Sequence, residues 1–561
     1  MGCDGRTSRH IYCLALDGRC QTKRTPSPIP GPLYTARTGG YNARRRGSAM
    51  LARVESIALV GIDAVPVLVE ADANPAADRK TLIVGLPDAE VKEAQERVWV
   101  ALRHSGFYVH DGRLTISLAP SDLRKQGSHF DLPIALATLA ATGQLEEQDL
   151  QRFCVMGELG LNGDLHPVPG VLSAAIGALA GGKAAIFVPL ANANEAAVVE
   201  GLTVYGARNL AEVVEHLNGL RELTPTPHHL DGLDLDAPEY DVDFADVKGQ
   251  EHVKRALEVA AAGGHNVLLI GPPGAGKTML ARRLPTILPP LSQAEALETS
   301  RIYSVAGLLP SGRALLVARP FRTPHHTISN AGLVGGGAPP RPGEVSLAHH
   351  GVLFLDELLE FPRTVLEVLR QPLEDGHVTI ARASGTVAFP SSVMLVAAMN
   401  PSPSGDFLDP GRATQAQLTA QARYLSRLSG PLLDRIDAHI EVPALSKEEL
   451  VGKAKGESSA AKRVRVQMAR DRQHHRFAGT RIHCNAEMTS RALRKYCTLG
   501  PDSQALLQRA VDHLGLSARA YDRILKLART IADLDGQDNI AVPHIAEAIQ
   551  YRQLDRKLWQ G

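Results

Sequence analysis

GPPGAGKTML, residues 271–280, stands between an apolar run, NVLLI (266–270), and a helix-like stretch, TMLARRL, that opens at Thr278. Gly271, Gly276, Lys277 and Thr278 satisfy the spacing G-x-x-x-x-G-K-[ST]. Glycines at those places let successive backbone N–H groups converge on phosphate oxygens, a lysine reaches the β and γ phosphates, and the hydroxyl that follows ligates Mg²⁺. With a strand before it and a helix after it, the loop has the context the chemistry needs. Gly271, Pro272, Pro273, Gly274, Ala275, Gly276, Lys277, Thr278 and Met279 are therefore expected to hold a nucleoside triphosphate in an α/β fold.

Two apolar runs downstream end in polar groups suited to the same chemistry. GVLFLDELLEF (351–361) closes on two carboxylates, of which Asp356 would hold Mg²⁺ and Glu357 would polarise the attacking water. VMLVAAMN (393–400) ends in Asn400, placed to orient that water or sense the γ-phosphate; the same asparagine before Pro401 also suits a turn.

Working outward, 561 residues exceed what one hydrophobic core can hold, so about three compact units are expected. The composition, 44% hydrophobic and 22% charged, is that of a globular protein, and no apolar run approaches the ~20 residues that cross a bilayer. A net charge of +1 provides no global attraction to nucleic acid, so any such binding rests on a local basic surface, repeated by oligomerisation if there is any. Six cysteines, none in a CxxC pair, indicate a reducing, cytoplasmic setting without a disulfide framework or an obvious structural zinc site.

Residues 1–49 are rich in Arg, Gly, Pro and Ser and lack periodicity; they read as a disordered extension, with Met50 as the natural start, or as a genuine tail. From 50 to 220, strand-like runs (VPVLVEAD, KTLIVGLP, RLTISLAP, KAAIFVP) alternate with helix-like ones (DAEVKEAQERVWVALRHSG, FDLPIALATLAATGQL, GVLSAAIGALAGG), which predicts an α+β unit. An acidic, Pro-bearing stretch, TPTPHHLDGLDLDAPEYDVDFADV, reads as a solvated connector over 221–244.

LAPSDLRKQGSHFDLPIALATLAA and GELGLNGDLHPVPGVLSAAIGALAGGKAAIFVP resemble the proteolytic (S5-type) domain of Lon. On that match the serine nucleophile's place falls at about His129 and its lysine partner's at about Leu172, with Ser128 one position off, so the Ser–Lys pair is missing and peptidase activity is not expected. RPFRTPHHTISNAGLVGGGAPPRPGEVSLAHHGVLFLDEL is close to a signature of the magnesium-chelatase-like AAA+ ATPases, and 50–561 as a whole resembles the YifB/ComM group. The resemblance implies a P-loop ATPase core (245–445) with a helical lid (446–561), ATP and Mg²⁺ as cofactors, a homo-hexamer, no membrane, and ATP-driven branch migration of branched or single-stranded DNA without sequence preference. It also implies that Arg435, in SRLSGPLLDRIDAHIEVP, is a finger reaching the neighbouring subunit's γ-phosphate. Arg519, with Arg523 as runner-up, would be the lid's sensor, and a β-hairpin around Ala383, Ser384 and Gly385 would face the ring centre. Where many relatives carry CPCG, this chain has Ser402 and Ser404, poor Zn²⁺ ligands, so no zinc is expected there.

Other features read more plainly. The pairs His228-His229, His325-His326 and His474-His475 lack nearby thiols or acids for a closed metal site, and Cys484 and Cys497 read as single buried thiols. The basic run 462–477, KRVRVQMARDRQHHRF, is either a solvated helix face or a row of phosphate contacts. A chelatase-type or protein-remodelling ATPase without DNA activity is the alternative to the DNA motor.

Overall fold

The computed structural model describes residues 51–552 and 554, apart from 110, 146–149, 229–239, 311–312, 383–384, 406–413 and 446–455. The expected extension 1–49 with Met50, His229, most of the connector, and the hairpin residues Ala383 and Ser384 lie outside the described residues.

The first part of the chain builds a seven-stranded mixed sheet. Its strands are β1 (Leu51–Val60), β2 (Asp63–Asn74), β3 (Lys80–Val84), β4 (Arg113–Ala119), β5 (Phe153–Val155), β8 (Ala185–Pro189) and β9 (Thr203–Ala207); a separate small ribbon pairs β6 (Glu158–Leu159) with β7 (Leu165–His166). The order is β3-β4-β2-β1-β5-β8-β9. Strict alternation makes these strands: in RLTISLA, Leu114, Ile116 and Leu118 point inward while their neighbours stay partly exposed. Helices Ala89–His104 and Asp131–Ala141 share one core with Val54, Val69 and Leu114, whereas Val171–Ala180 shares another with Ile57, Ile186 and Val188. Asp88 starts the first of these helices by accepting the Val91 N–H at 2.9 Å.

The second sheet is parallel throughout. It comprises β10 (Val267–Ile270), β11 (Phe321–Arg322), β14 (Val352–Leu355), β17 (Met394–Met399) and β18 (Ala438–Glu441) in the order β11-β14-β17-β10-β18. VLLI, VLFL and MLVAAM are buried at every position, as strands covered on both faces must be, and Val267 and Leu269 enter one core while Leu268 and Ile270 enter the other. Beside it, β12 (Gly335–Gly336) pairs with β13 (Arg341–Pro342), and β15 (His377–Arg382) with β16 (Gly385–Pro390) in the expected hairpin. The C-terminal region is helical, from Ser459–Arg476 to Val542–Gln550. No helix among the described residues is long and apolar enough to cross a membrane.

Two expectations change. The connector is not solvated to its end: Phe244 is fully buried in the second sheet's core and its N–H donates to Ser459 Oγ at 2.8 Å, because an apolar ring among acids still gains by burial. The basic run forms the helix Ser459–Arg476, but its cations are neither a solvated face nor a free row. Lys462 and Arg465 pair with Glu258 and Glu457, Arg476 with Asp533, and Arg463 and Arg470 donate to the Thr286 and Ala261 carbonyls.

The two sheets are joined through the helix Gln293–Ala306, which lies against Val171–Ala180. Arg301 donates to Ile62 O (2.8 Å) and Asp63 (3.1 Å). The Glu195 carboxylate, which burial pushes above its usual pKa, accepts from the Leu172 N–H (3.0 Å), the Asn192 amide (3.1 Å) and the Ser304 hydroxyl. Glu195→Ala strands all three donors and is expected to destabilise the protein by about 2–4 kcal/mol, read as a lower urea midpoint, whereas Glu195→Gln should cost clearly less.

Candidate nucleotide site and its surroundings

All three catalytic strands deliver their last residues to one edge of the sheet, because β10, β14 and β17 are parallel and adjacent. Gly271 leaves β10 so close to β18 that a Cβ there would stand 2.0 Å from Val442 O. Gly276 (φ +87°) then turns the chain into the helix Lys277–Arg283. Around Gly274 there is open space, as a cradle for phosphate requires.

Lys277 is buried, and its ammonium donates to Gly271 O (2.6 Å), Pro272 O (2.9 Å) and Asn400 Oδ1 (3.1 Å). Burial pushes its pKa down, with Asp356 and Glu357 opposing. A desolvated cation resting on neutral carbonyls gains from an anion brought into the loop. Thr278 donates its hydroxyl to Asp356 Oδ2 at 2.6 Å, so two oxygen donors of the kind Mg²⁺ takes already meet. Glu357 follows, with its N–H on Asp356 Oδ1 (3.0 Å) and its carboxylate largely exposed. The structure thus brings together Lys277, Thr278, Asp356, Glu357 and Asn400, and the donor set fits a magnesium–nucleotide complex.

Arg435, Arg519 and Arg523 lie elsewhere. Asn266, at the start of β10, donates to Arg435 O at 2.9 Å, whereas the phosphate loop leaves the other end of that strand. Four strand residues, roughly 13 Å, therefore separate the Arg435 backbone from its own Gly271. The Arg435 guanidinium bonds Arg370 O (3.1 Å), Pro431 O (2.7 Å) and Glu374. Arg519 joins the same region by an exposed bond to Asp434 at 2.7 Å, and Arg523 pairs with Asp437. Asp437 in turn meets the buried His265 (3.1 Å), whose other nitrogen meets Thr530 (2.8 Å). Burial opposes the charge on Asp437, but Arg523 and His265 hold its carboxyl well below the usual range.

Sequence reasoning missed Gln250. Its amide donates to Ala275 O (2.8 Å) and Pro443 O (3.0 Å), while its buried Oε1 has no partner among the described residues and lies beside Gly276. Its position just before the helix preceding β10 was the available signal. The cluster Glu298, His349 and His350 was missed too. There Ser392 donates its N–H to His349 Nδ1 (2.9 Å), which leaves the proton on Nε2, facing Glu298 (3.2 Å); a hydrogen-bonded ion cluster explains it without a metal. His129 and Leu172, at the places of the Lon serine and lysine, are both buried, and His129 bonds Ile57 O at 2.8 Å. Ser402 and Ser404 bond each other at 2.9 Å, and Cys154, Cys484 and Cys497 are buried thiols.

A phosphate loop on a parallel sheet, with a further strand inserted between the loop strand and the carboxylate strand, and a helical lid behind it, defines an AAA+ P-loop ATPase. Family models described as magnesium chelatase, subunit ChlI, match residues 243–450, with subunit ChlI of Mg-chelatase matching 69–192 and its C-terminal region 456–552. The protein YifB of Salmonella typhimurium is 44% identical over 509 residues, covering 91% of this chain and 98% of its own length. The competence protein ComM of Haemophilus influenzae is 45% identical over 512 residues, with the same shares. Lon protease 2 of Bacillus subtilis is 33% identical over 152 residues, about a quarter of each chain. The chain belongs to the YifB/ComM group of the magnesium-chelatase-like AAA+ proteins. That family implies ATPase activity using a nucleotide and Mg²⁺.

Lys277→Ala is expected to lose ATP binding, whereas Glu357→Gln should bind ATP and slow its hydrolysis at least about a hundredfold; equilibrium binding and single-turnover hydrolysis separate the two effects. Arg435→Ala should bind ATP normally and hydrolyse it slowly, and mixing it with Lys277→Ala protein should restore part of the rate, measured as ATPase activity against mixing ratio.

Proposed function

We propose that the chain is an ATP-driven motor that moves DNA branch points in recombination and natural transformation, acting in the cytoplasm as a homo-hexamer on branched or single-stranded DNA without sequence preference. The observation that carries this reading is the separation of Arg435 from the chain's own phosphate loop. An arginine at the far end of β10 serves phosphoryl transfer when a second copy brings its loop to that face, and head-to-tail copies that close form a ring. In this reading 50–220 is a non-proteolytic Lon-like unit, 221–244 a connector, 245–445 the ATPase core and 446–561 the lid.

Bound ATP supplies the phosphoryl group, and Mg²⁺ offsets the charge that develops on it. Within one copy, Lys277 grips phosphate, Thr278 and Asp356 hold the metal, Gln250 Oε1 accepts from the base's exocyclic amine, Asn400 orients the water and Glu357 takes its proton. The neighbouring copy adds Arg435 and, from the same region, Arg519, which leave Glu374 and Asp434 for the anion. A nearly neutral chain can bind DNA in such a ring, because modest contributions from six β15–β16 hairpins add along one backbone. The likeness to a protein named for competence supports DNA as the substrate.

The family's chelatase members support a second reading, a remodelling ATPase that ignores DNA. A synthetic four-way junction separates them. Wild-type protein with ATP is expected to assemble into hexamers and convert the junction into its two product duplexes; Glu357→Gln, or omission of ATP, should abolish conversion. Protein that hydrolyses ATP but neither binds the junction nor moves its branch point would defeat the motor reading.

A further inference from the structure

Glu357 is held in an uncommon way. Its φ of +50° lies in the left-handed region, which costs a residue with a Cβ roughly 1–2 kcal/mol. Its carboxylate stands 3.7 Å from His326 Nδ1. The His326 ring is confined between His325 (centroids 4.1 Å apart) and the edge of Phe361 (6.4 Å), and His325 is itself tied to Thr327 at 2.9 Å. The ring next to Glu357 is thus fixed by its surroundings.

The segment carrying His326 is anchored at both ends. Before it, Arg322 grips Glu344 with two bonds (2.6 and 2.7 Å). After it, Ser329 caps the short helix Asn330–Val334, which runs directly into β12. That strand lies on the hairpin: a Cβ on Gly335 would stand 3.0 Å from Ile380 Cδ1, and one on Gly336 3.6 Å from Arg382 Nη2. Packed groups therefore lead without a gap from Ile380 and Arg382 in β15, through Gly335, Gly336 and the helix Asn330–Val334, to His326 and Glu357. The far side of the hairpin is braced as well, since a Cβ on Gly61 would stand 2.6 Å from Val387 Cγ1 of β16.

A carboxylate engaged by an imidazole is a poorer acceptor for the proton of an attacking water than a free one. At 3.7 Å the engagement is loose, so a small displacement of the segment breaks it. We propose that His326 is a positioning residue that restrains Glu357, and that the segment 323–336 relays engagement of the β15–β16 hairpin to that restraint, so hydrolysis runs fast when DNA presses on the hairpin. The inference rests on the reading of Glu357 as the water-activating group of a DNA-stimulated ATPase.

The test uses full-length wild type, His326→Ala, His326→Phe and His326→Gln. Steady-state ATPase is measured with and without four-way junction DNA, ATP affinity with a fluorescent analogue, and folding by circular dichroism. His326→Ala and His326→Phe are expected to raise basal kcat about 3–10-fold with KM for ATP unchanged, and to bring the ratio of stimulated to basal rate close to 1. His326→Gln, whose amide still donates, should fall between them and wild type. If one of the first two fails to fold, the other decides. Basal kcat that is unchanged or lower overturns the restraint; raised basal kcat with full stimulation retained overturns the relay. A wild type that hydrolyses ATP without responding to DNA defeats the DNA reading and the relay together, while the basal rates still decide the restraint.

Discussion

The arrangement depends on parallel alignment of three adjacent strands. Because β10, β14 and β17 run the same way and are buried on both faces, their polar residues collect at one edge, where backbone groups are free to meet a ligand. Lys277, Asp356 and Asn400 are 79 and 44 positions apart in the chain, yet they meet in one network of bonds. Nothing local to any of the three segments produces that meeting. It follows from the apolar runs VLLI, VLFL and MLVAAM choosing one another as neighbours, with β17 in the middle.

The same alignment sends Arg435 to the opposite edge. β18 is parallel to β10, so the residues just before it lie beside the start of β10 and away from the loop. The lid is fastened there: Arg523, Asp437, His265 and Thr530 connect the helix Ala518–Leu534 to the base of the sheet through buried or largely buried bonds. Burial pushes His265 down, which favours a neutral ring sharing bonds with both partners. A lid tied to the arginine edge moves with that edge, and a nucleotide held between two copies would feel both.

The N-terminal sheet keeps a Lon-like pattern but spends its former reactive positions on packing. His129 bonds a backbone carbonyl, and burial lowers its pKa to about 4; Leu172 lies in an apolar cluster with Leu291, Ala296 and Leu315. That cluster, with Glu195 and Arg301, joins the sheet to the helix Gln293–Ala306. The unit therefore acts on the ATPase by contact, and Gly61 extends the contact to the hairpin.

The phosphate loop, the carboxylates after VLFL, Asn400 and the major strands and helices of the first unit were legible in the sequence, because each follows from local spacing: glycine geometry, period-two alternation, or an apolar run ended by a polar group. Family resemblance added the arginines. Only the tertiary structure decided the rest. β5, three residues long, and β11, two, have no local pattern of their own and exist as strands because neighbours pair with them. The charges on the helix Ser459–Arg476 read as available until Glu258, two hundred positions earlier, is seen to take Lys462 and Arg465. Gln250 and His326 gain significance solely from what lies against them. A sequence records which groups a residue carries, but whether a charge is neutralised or a carboxylate restrained depends on partners that folding alone brings within reach.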